Sequence, residues 1–168
     1  MLFRSGRYWV GRYCAQGADL AVAQRVVKRV TFATATTGAI AAKELFTVTG
    51  MVLATVIPIC VGTDLTGAGA TIEYGSESDT DLFLGAITAT TWDDAEIGIN
   101  TTPLPYLVMS DTQPNWAYLS EEDIGYEVKV ATIDTGVVDW YCYWYPLSDD
   151  ANVESAGEIG RASCRERV

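Results

Sequence analysis

Two short acidic runs are the first places to look for chemistry: Glu77-Ser-Asp79-Thr-Asp81 and Asp93-Asp94-Ala-Glu96. A pair of carboxylates can split a glycosidic bond when a pocket holds one protonated and leaves the other ionised. Alternating Asp residues in a loop can also ligate calcium. Neither run has the spacing of an EF-hand loop or its central glycine. Solvated loops that keep strand edges from aggregating are the commoner use of such residues. The chain contains no histidine. That removes imidazole acid–base catalysis and most transition-metal sites. There is no glycine-rich phosphate loop and no nucleophile motif. The sequence therefore assigns no catalytic, cofactor-binding or metal-ligating residue, and catalysis is not expected.

Aromatic and basic residues suggest binding instead. Trp92 (in TTWDDAE) and Trp116 (in TQPNWAY) stand in loop-like stretches. A loop tryptophan can stack on a sugar or anchor a protein interface; the alternative is a ring folded back over the end of the core. Arg25, Lys28 and Arg29 form the one basic strand on an acidic chain. They are candidates for a docking edge against an acidic partner, or for plain edge protection. Cys60 and Cys142 lie in apolar strand-like runs without metal-ligand spacing, which reads as two buried free thiols.

These residues must be positioned by strands. Val, Ile, Thr, Ala and aromatics dominate, with turn residues every dozen positions or so, the spacing of a sandwich or barrel. Eight strands are predicted: Val26–Phe32, Leu45–Thr49, Met51–Val61, Ala70–Tyr74, Leu82–Ile87, Leu104–Met109, Ile124–Ile133 and Val137–Tyr145. Pro103 and Pro105 make the sixth an edge strand. Ala35–Glu44 has helix formers but no long apolar stripe, so one turn at most is expected there. In Ile124–Ile133, the residues Ile124, Tyr126, Val128 and Val130 share a face, with Glu127 and Lys129 on the other. In the last strand Val138, Trp140, Cys142 and Trp144 share the core face. Asp139, Tyr141, Tyr143 and Tyr145 share the second face, which needs cover of its own. The Asp134-Thr-Gly136 turn between these two strands predicts a hairpin. The expected fold is an all-β antiparallel sandwich of about eight strands, jelly-roll-like.

The formal net charge is −11, from 11 basic and 22 acidic residues. That balance argues against binding a nucleic-acid backbone. The longest apolar run, Met51–Val61, is too short to span a bilayer and contains Pro58, so no membrane partner is expected. Both ends resemble translated sequencing adapter: Met1-Leu-Phe-Arg-Ser5, and Glu158-Ile-Gly-Arg-Ala-Ser-Cys-Arg-Glu-Arg-Val168. Segments of that kind are excluded from fold reasoning. Without their four arginines and two glutamates, the charge goes from −11 to −13. This implies a metagenomic shotgun library as the origin of the reading frame. The expected organisation is scars at 1–5 and 158–168, a leader or irregular segment at 6–21, and one sandwich domain at 22–157. The scars are expected to pack against nothing, Ile159 and Cys164 included.

Three stretches carry a family resemblance: RVVKRVTFATATTGAIAAKELFTVTG, DLTGAGATIEYGSESDTD and the closing DWYCYWYPLSDDANV. Between about Ala23 and Val153 the chain resembles small β-rich structural proteins of tailed bacteriophages, which open on a basic strand with a TGAIA-like segment and close near PLSDD-x-NV. The resemblance implies a virion component, namely capsid decoration, head fibre or tail accessory. It also implies a homo-oligomer, with three copies preferred, that works beside other virion proteins. It carries no functional residue. The competing expectation is a carbohydrate-binding or receptor-binding module on the same kind of sandwich, with a glycan held near Trp92 and Trp116.

Overall fold

The computed structural model describes residues 23–99, 104–105 and 115–157. The readings of residues 1–5, 6–21 and 158–168, and of most of Leu104–Met109, lie outside the described residues.

Among the described residues eleven strands are formed: β1 (Gln24–Thr31), β2 (Ala41–Thr49), β3 (Met51–Cys60), β4 (Thr71–Ser76), β5 (Leu84–Thr88), β6 (Glu96–Ile97), β7 (Leu104–Pro105), β8 (Ala117–Ser120), β9 (Ile124–Lys129), β10 (Val137–Pro146) and β11 (Asn152–Ser155). Among the described residues one 3-10 turn, Ala89–Thr91, interrupts them. Every pairing between the strands is antiparallel. Sheet A runs β1-β10-β3, with β8 and then β6-β7 beside successive halves of β3. Sheet B runs β11-β2-β9-β4-β5. With β6, β7 and β11 set aside, the pairs β1–β10, β2–β9, β3–β8 and β4–β5 are the four nested pairs of a jelly roll, two Greek keys wound into two sheets.

Early in the chain, consecutive strands cross between the sheets. Gly50 alone joins β2 in sheet B to β3 in sheet A. Its φ is +67°, and a Cβ there would press on Ser148 Oγ and Asp150 Oδ1, each at 2.6 Å. Glycine meets both demands at once.

The predicted hairpin does not form. β9 lies in sheet B and β10 in sheet A, so Asp134-Thr-Gly136 is a crossover. It is fixed by the Thr66–Thr135 bridge and by Asp134 N–H donating to the Thr66 carbonyl at 2.7 Å. Each strand buries its apolar face from the opposite side of one core, and each finds its hydrogen-bond partners far along the chain. β10 sits between β1 and β3, with Cys142 opposite both Val26 and Val56.

Strand β9 also ends sooner than its apolar period suggests. Val130 has φ +68°, and the Ala131 N–H bonds back to the Lys129 carbonyl at 2.8 Å in a tight γ-turn. That turn throws Val130 outward, where it is 76% exposed, so it does not share the core face of Ile124, Tyr126 and Val128. A β-branched residue in the left-handed region is strained. The Ala35–Glu44 stretch forms turns at 34–38 and then strand from Ala41 on, in place of any helix.

The core is one cluster between the sheets, with Trp140 at its centre. Its indole stacks on Tyr126 (centroids 5.6 Å, planes 11° apart) and meets Tyr74 and Trp92 edge to face at 5.3 and 6.2 Å. Tyr126 comes from sheet B, so Trp140, Cys142 and Trp144 face inward as expected, toward the face of β9 that carries Tyr126 and Val128 but not, as also expected, Val130. The Tyr74 hydroxyl donates to the Gly98 carbonyl (2.8 Å) and the Tyr126 hydroxyl to the Thr37 carbonyl (2.9 Å). Burial raises both phenols well above their ordinary pKa. One open side of the sandwich is closed by Lys28. Its ammonium donates to the backbone carbonyls of Glu44 (3.0 Å) and Ala156 (2.7 Å), tying the edge of sheet A to sheet B.

Candidate functional surface

The acidic runs prove to be loop architecture. Around Glu77–Asp81, the key acceptor is Glu122. Its Oε1 takes the Ser76 hydroxyl (3.0 Å), the Ser78 N–H (2.9 Å) and a short contact from the Ser78 hydroxyl. Those donors, Ser78 foremost, lower the Glu122 pKa. Asp79 shifts the opposite way, because its side chain hydrogen-bonds Asp81 and two adjacent carboxylates resist joint ionisation. In the second run Asp94 Oδ1 accepts the Gly62 N–H at 2.5 Å, and Glu96 Oε2 accepts the Asp93 N–H at 3.0 Å. Among the described residues no three Asp, Glu or Cys gather as a metal site.

Trp92 and Trp116 part company. Trp92 is fully buried, its Nε1–H bonded to the Glu96 carbonyl at 3.0 Å and Gly98 pressed on its ring. It is a core residue, so it does not face a glycan. Trp116 is 44% exposed and lies 5.5 Å from the Tyr145 ring.

The basic triad is also divided. Strand alternation puts Arg25 and Arg29 on the outer face of sheet A and Lys28 on the inner side, where it closes the sandwich. Arg29 makes a bidentate pair with the buried carboxylate of Asp139, both contacts at 2.6 Å, and its pKa rises accordingly. Arg25 lies over the Tyr141 ring, 6.0 Å from its centre. Cys60 and Cys142 are free and buried, their pKa values each pushed up to about 12 by desolvation. Neither presents a reactive thiolate at neutral pH.

What the fold does assemble is the outer face of sheet A. Register sets Arg25, Tyr143 and Thr55 in one row, Val27, Tyr141 and Ile57 in the next, and Tyr145, Leu53 and Tyr118 in a third. Met51 and Leu147 continue the face at one end, joined by Leu147 N–H to the Met51 carbonyl at 2.8 Å. Of the seven large hydrophobic residues exposed among the described residues, five stand here: Val27, Met51, Trp116, Tyr118 and Leu147. The predicted tyrosine face is thus real and wider than Tyr141, Tyr143 and Tyr145. The signal for its far edge was present in Trp116-Ala-Tyr118-Leu119, where alternate residues point out and in.

Sheet B offers a different surface. Glu73 and Glu127 face each other across β4 and β9, bridged by Lys129 at 2.5 and 3.4 Å. Beside Gly125 a hollow of about 240 Å³ is bounded by Glu44, Glu77, Thr80 and Asp123 among others. Two of its carboxylates are already engaged. Asp123 accepts the Val48 N–H at 2.8 Å, and Glu44 accepts the Thr47 hydroxyl at 2.7 Å.

No protein-family model matches the chain. No curated protein matches it either. Among solved structures it is similar to a chain of the acid-stable capsid structure of Helicobacter pylori bacteriophage KHP30. The TM-score is 0.40 at 13% identity, over 79% of this chain and 98% of that one. A likeness of that grade lends no weight to fold or function.

Proposed function

We propose that this protein is a non-enzymatic structural component of a phage virion, a decoration, head-fibre or tail accessory protein that works by association. The observation that carries this reading is the outer face of sheet A, where the exposed apolar side chains collect while the acidic loops spend their polar groups on their own backbone. Contiguous apolar surface of this kind serves contact. The resemblance of the strand and tail motifs to phage structural proteins supplies the particle. Jelly rolls serve both virions and lectins, so the fold by itself selects neither.

A second reading rests on Trp116 beside Tyr145. An exposed tryptophan next to a second ring is a platform on which a sugar can stack, as in a receptor-binding module. The genes flanking the reading frame on its source contig test the first reading. Capsid, portal or tail genes on either side are expected. Flanking genes for polysaccharide breakdown, together with glycan binding lost in Trp116→Ala, would replace it with the second.

A further inference from the structure

We infer that the outer face of sheet A is covered by a second copy of this chain, the β1 edge of one copy set on the Trp116–Tyr118 edge of the other. This rests on the reading of the protein as one that works by association, and it names the partner.

The face is self-complementary, as a two-fold interface requires. One lateral edge, β1, presents the guanidinium groups of Arg25 and Arg29. The opposite edge, β8 with the residue before it, presents Trp116 and Tyr118, 44% and 58% exposed. Rotation about an axis parallel to the strands lays each edge on the other. Arg25 then meets aromatic ring faces of the partner, the contact it already makes with Tyr141 inside its own chain. Between the edges, Tyr141, Tyr143, Tyr145, Leu53 and Ile57, all half-buried, give an apolar middle in which Thr55 is already covered, its hydroxyl donating to the Asn115 carbonyl.

Charge favours a copy over an unrelated acidic partner. Arg29 is already neutralised by Asp139, which leaves Arg25 as the single basic group on the face without a carboxylate partner among the described residues. One cation is too few to hold an acidic surface, but it suits an aromatic edge. The chain carries −11 overall, so two copies repel across most approaches. On the outer side of sheet B that repulsion is local, where Glu73 and Glu127 share the single cation of Lys129. The outer face of sheet A carries Asp139, which is paired, and few other charges. It is where copies can meet.

Light scattering on the full chain at tens of micromolar is the test, with Tyr118→Glu, Trp116→Glu and Arg25→Glu beside it and Glu127→Gln as a control on sheet B. Circular dichroism confirms folding, and Arg25→Glu alters an exposed position where misfolding is not a concern. Twice 18.2 kDa is expected for the parent chain, and three copies would overturn the two-fold arrangement. The two aromatic variants should raise the dissociation constant more than about tenfold, as loss of an anchor does. Arg25→Glu should raise it several-fold, and Glu127→Gln should leave it unchanged. An assembly that the three face variants leave intact overturns the inference and leaves the structural reading standing. So does a monomer retained by phage particles. A monomer in which Trp116→Phe removes a blue-shifted emission component that dilution leaves unchanged also overturns it, because the cover then comes from the chain itself. Face-dependent assembly in a gene neighbourhood without virion genes keeps the inference and removes the reading.

Discussion

The outer faces of the two sheets are built from the same kind of strand and have opposite surfaces. Sheet A turns tyrosines, Trp116, Met51 and Leu147 outward, with its one buried acid, Asp139, already paired. Sheet B turns out Glu73, Glu127, Glu44 and Lys129, and the loop after β4 folds over Gly75. A single core serves both, so the difference is not a demand of folding. Charged pairs keep a sheet face soluble, whereas aromatic rows invite cover. One face of this sandwich pairs its charges with one another and lies partly under its own loop, and the other leaves apolar side chains exposed.

The largest effect lies beneath both faces. Trp140→Ala should cost about 3–5 kcal/mol in chemical denaturation, the range for a large buried aromatic. A loss below about 1 kcal/mol would mean that the sheets do not share this core. Next comes the backbone of sheet B. Gly75 and Gly125 are paired across β4 and β9, and a Cβ on Gly125 would stand 2.6 Å from the Lys43 carbonyl. Gly125→Ala should cost about 1–3 kcal/mol through overpacking and leave self-association untouched. If association falls instead, the two faces are not independent.

A smaller change of opposite sign is expected at Val130. Val130→Gly removes the strain of its positive φ and should be neutral to about 1 kcal/mol stabilising. It should not alter assembly, because Val130 is an exposed hydrophobic residue at the end of β9 in sheet B. The smallest effect is electrostatic. The folded pKa of Glu122 lies below its ordinary 4.5. Its carboxylate therefore stabilises the fold above that value and loses the contribution as pH falls through the depressed folded pKa. Glu122→Gln should lower Tm by about 1–3 °C at neutral pH, the scale of an exposed group. The gap to the parent should close on acidification. A gap that persists at acid pH would assign the loss to the Ser76 and Ser78 hydrogen bonds rather than to charge.

Much of the fold was legible wherever alternation ran unbroken. Val138, Trp140, Cys142 and Trp144 keep period two over a full strand, and all four are buried. The tyrosines between them were legible as a second face for the same reason. The β9–β10 hairpin was misread because a short glycine-containing turn between two strands is local evidence, and sheet membership is not a local property. Trp92 stood open between a ligand-facing and a core-packed reading because its neighbours are acidic, and the core-packed one holds. The chain around it is solvated while the ring alone turns inward over Trp140. Lys28 belongs to a basic run by sequence, yet its position on the inner side of an edge strand gives its long stem backbone carbonyls to reach. Strands β8 and β11, four residues each, are too short for periodicity to announce. The far edge of the contact face went unread with β8.

The pairing of β1 with β10 has a consequence for synthesis. Val30 finds its strand partner at Val138, and until β10 has been made β1 has no neighbour in its own sheet. At ~5–20 residues per second, that wait is roughly 5–20 s on the ribosome. Through that interval both sides of this eight-residue segment are without a sheet neighbour, a state open to pairing with the wrong chain. Like charges on Arg25, Lys28 and Arg29 disfavour its pairing with copies of itself during that wait.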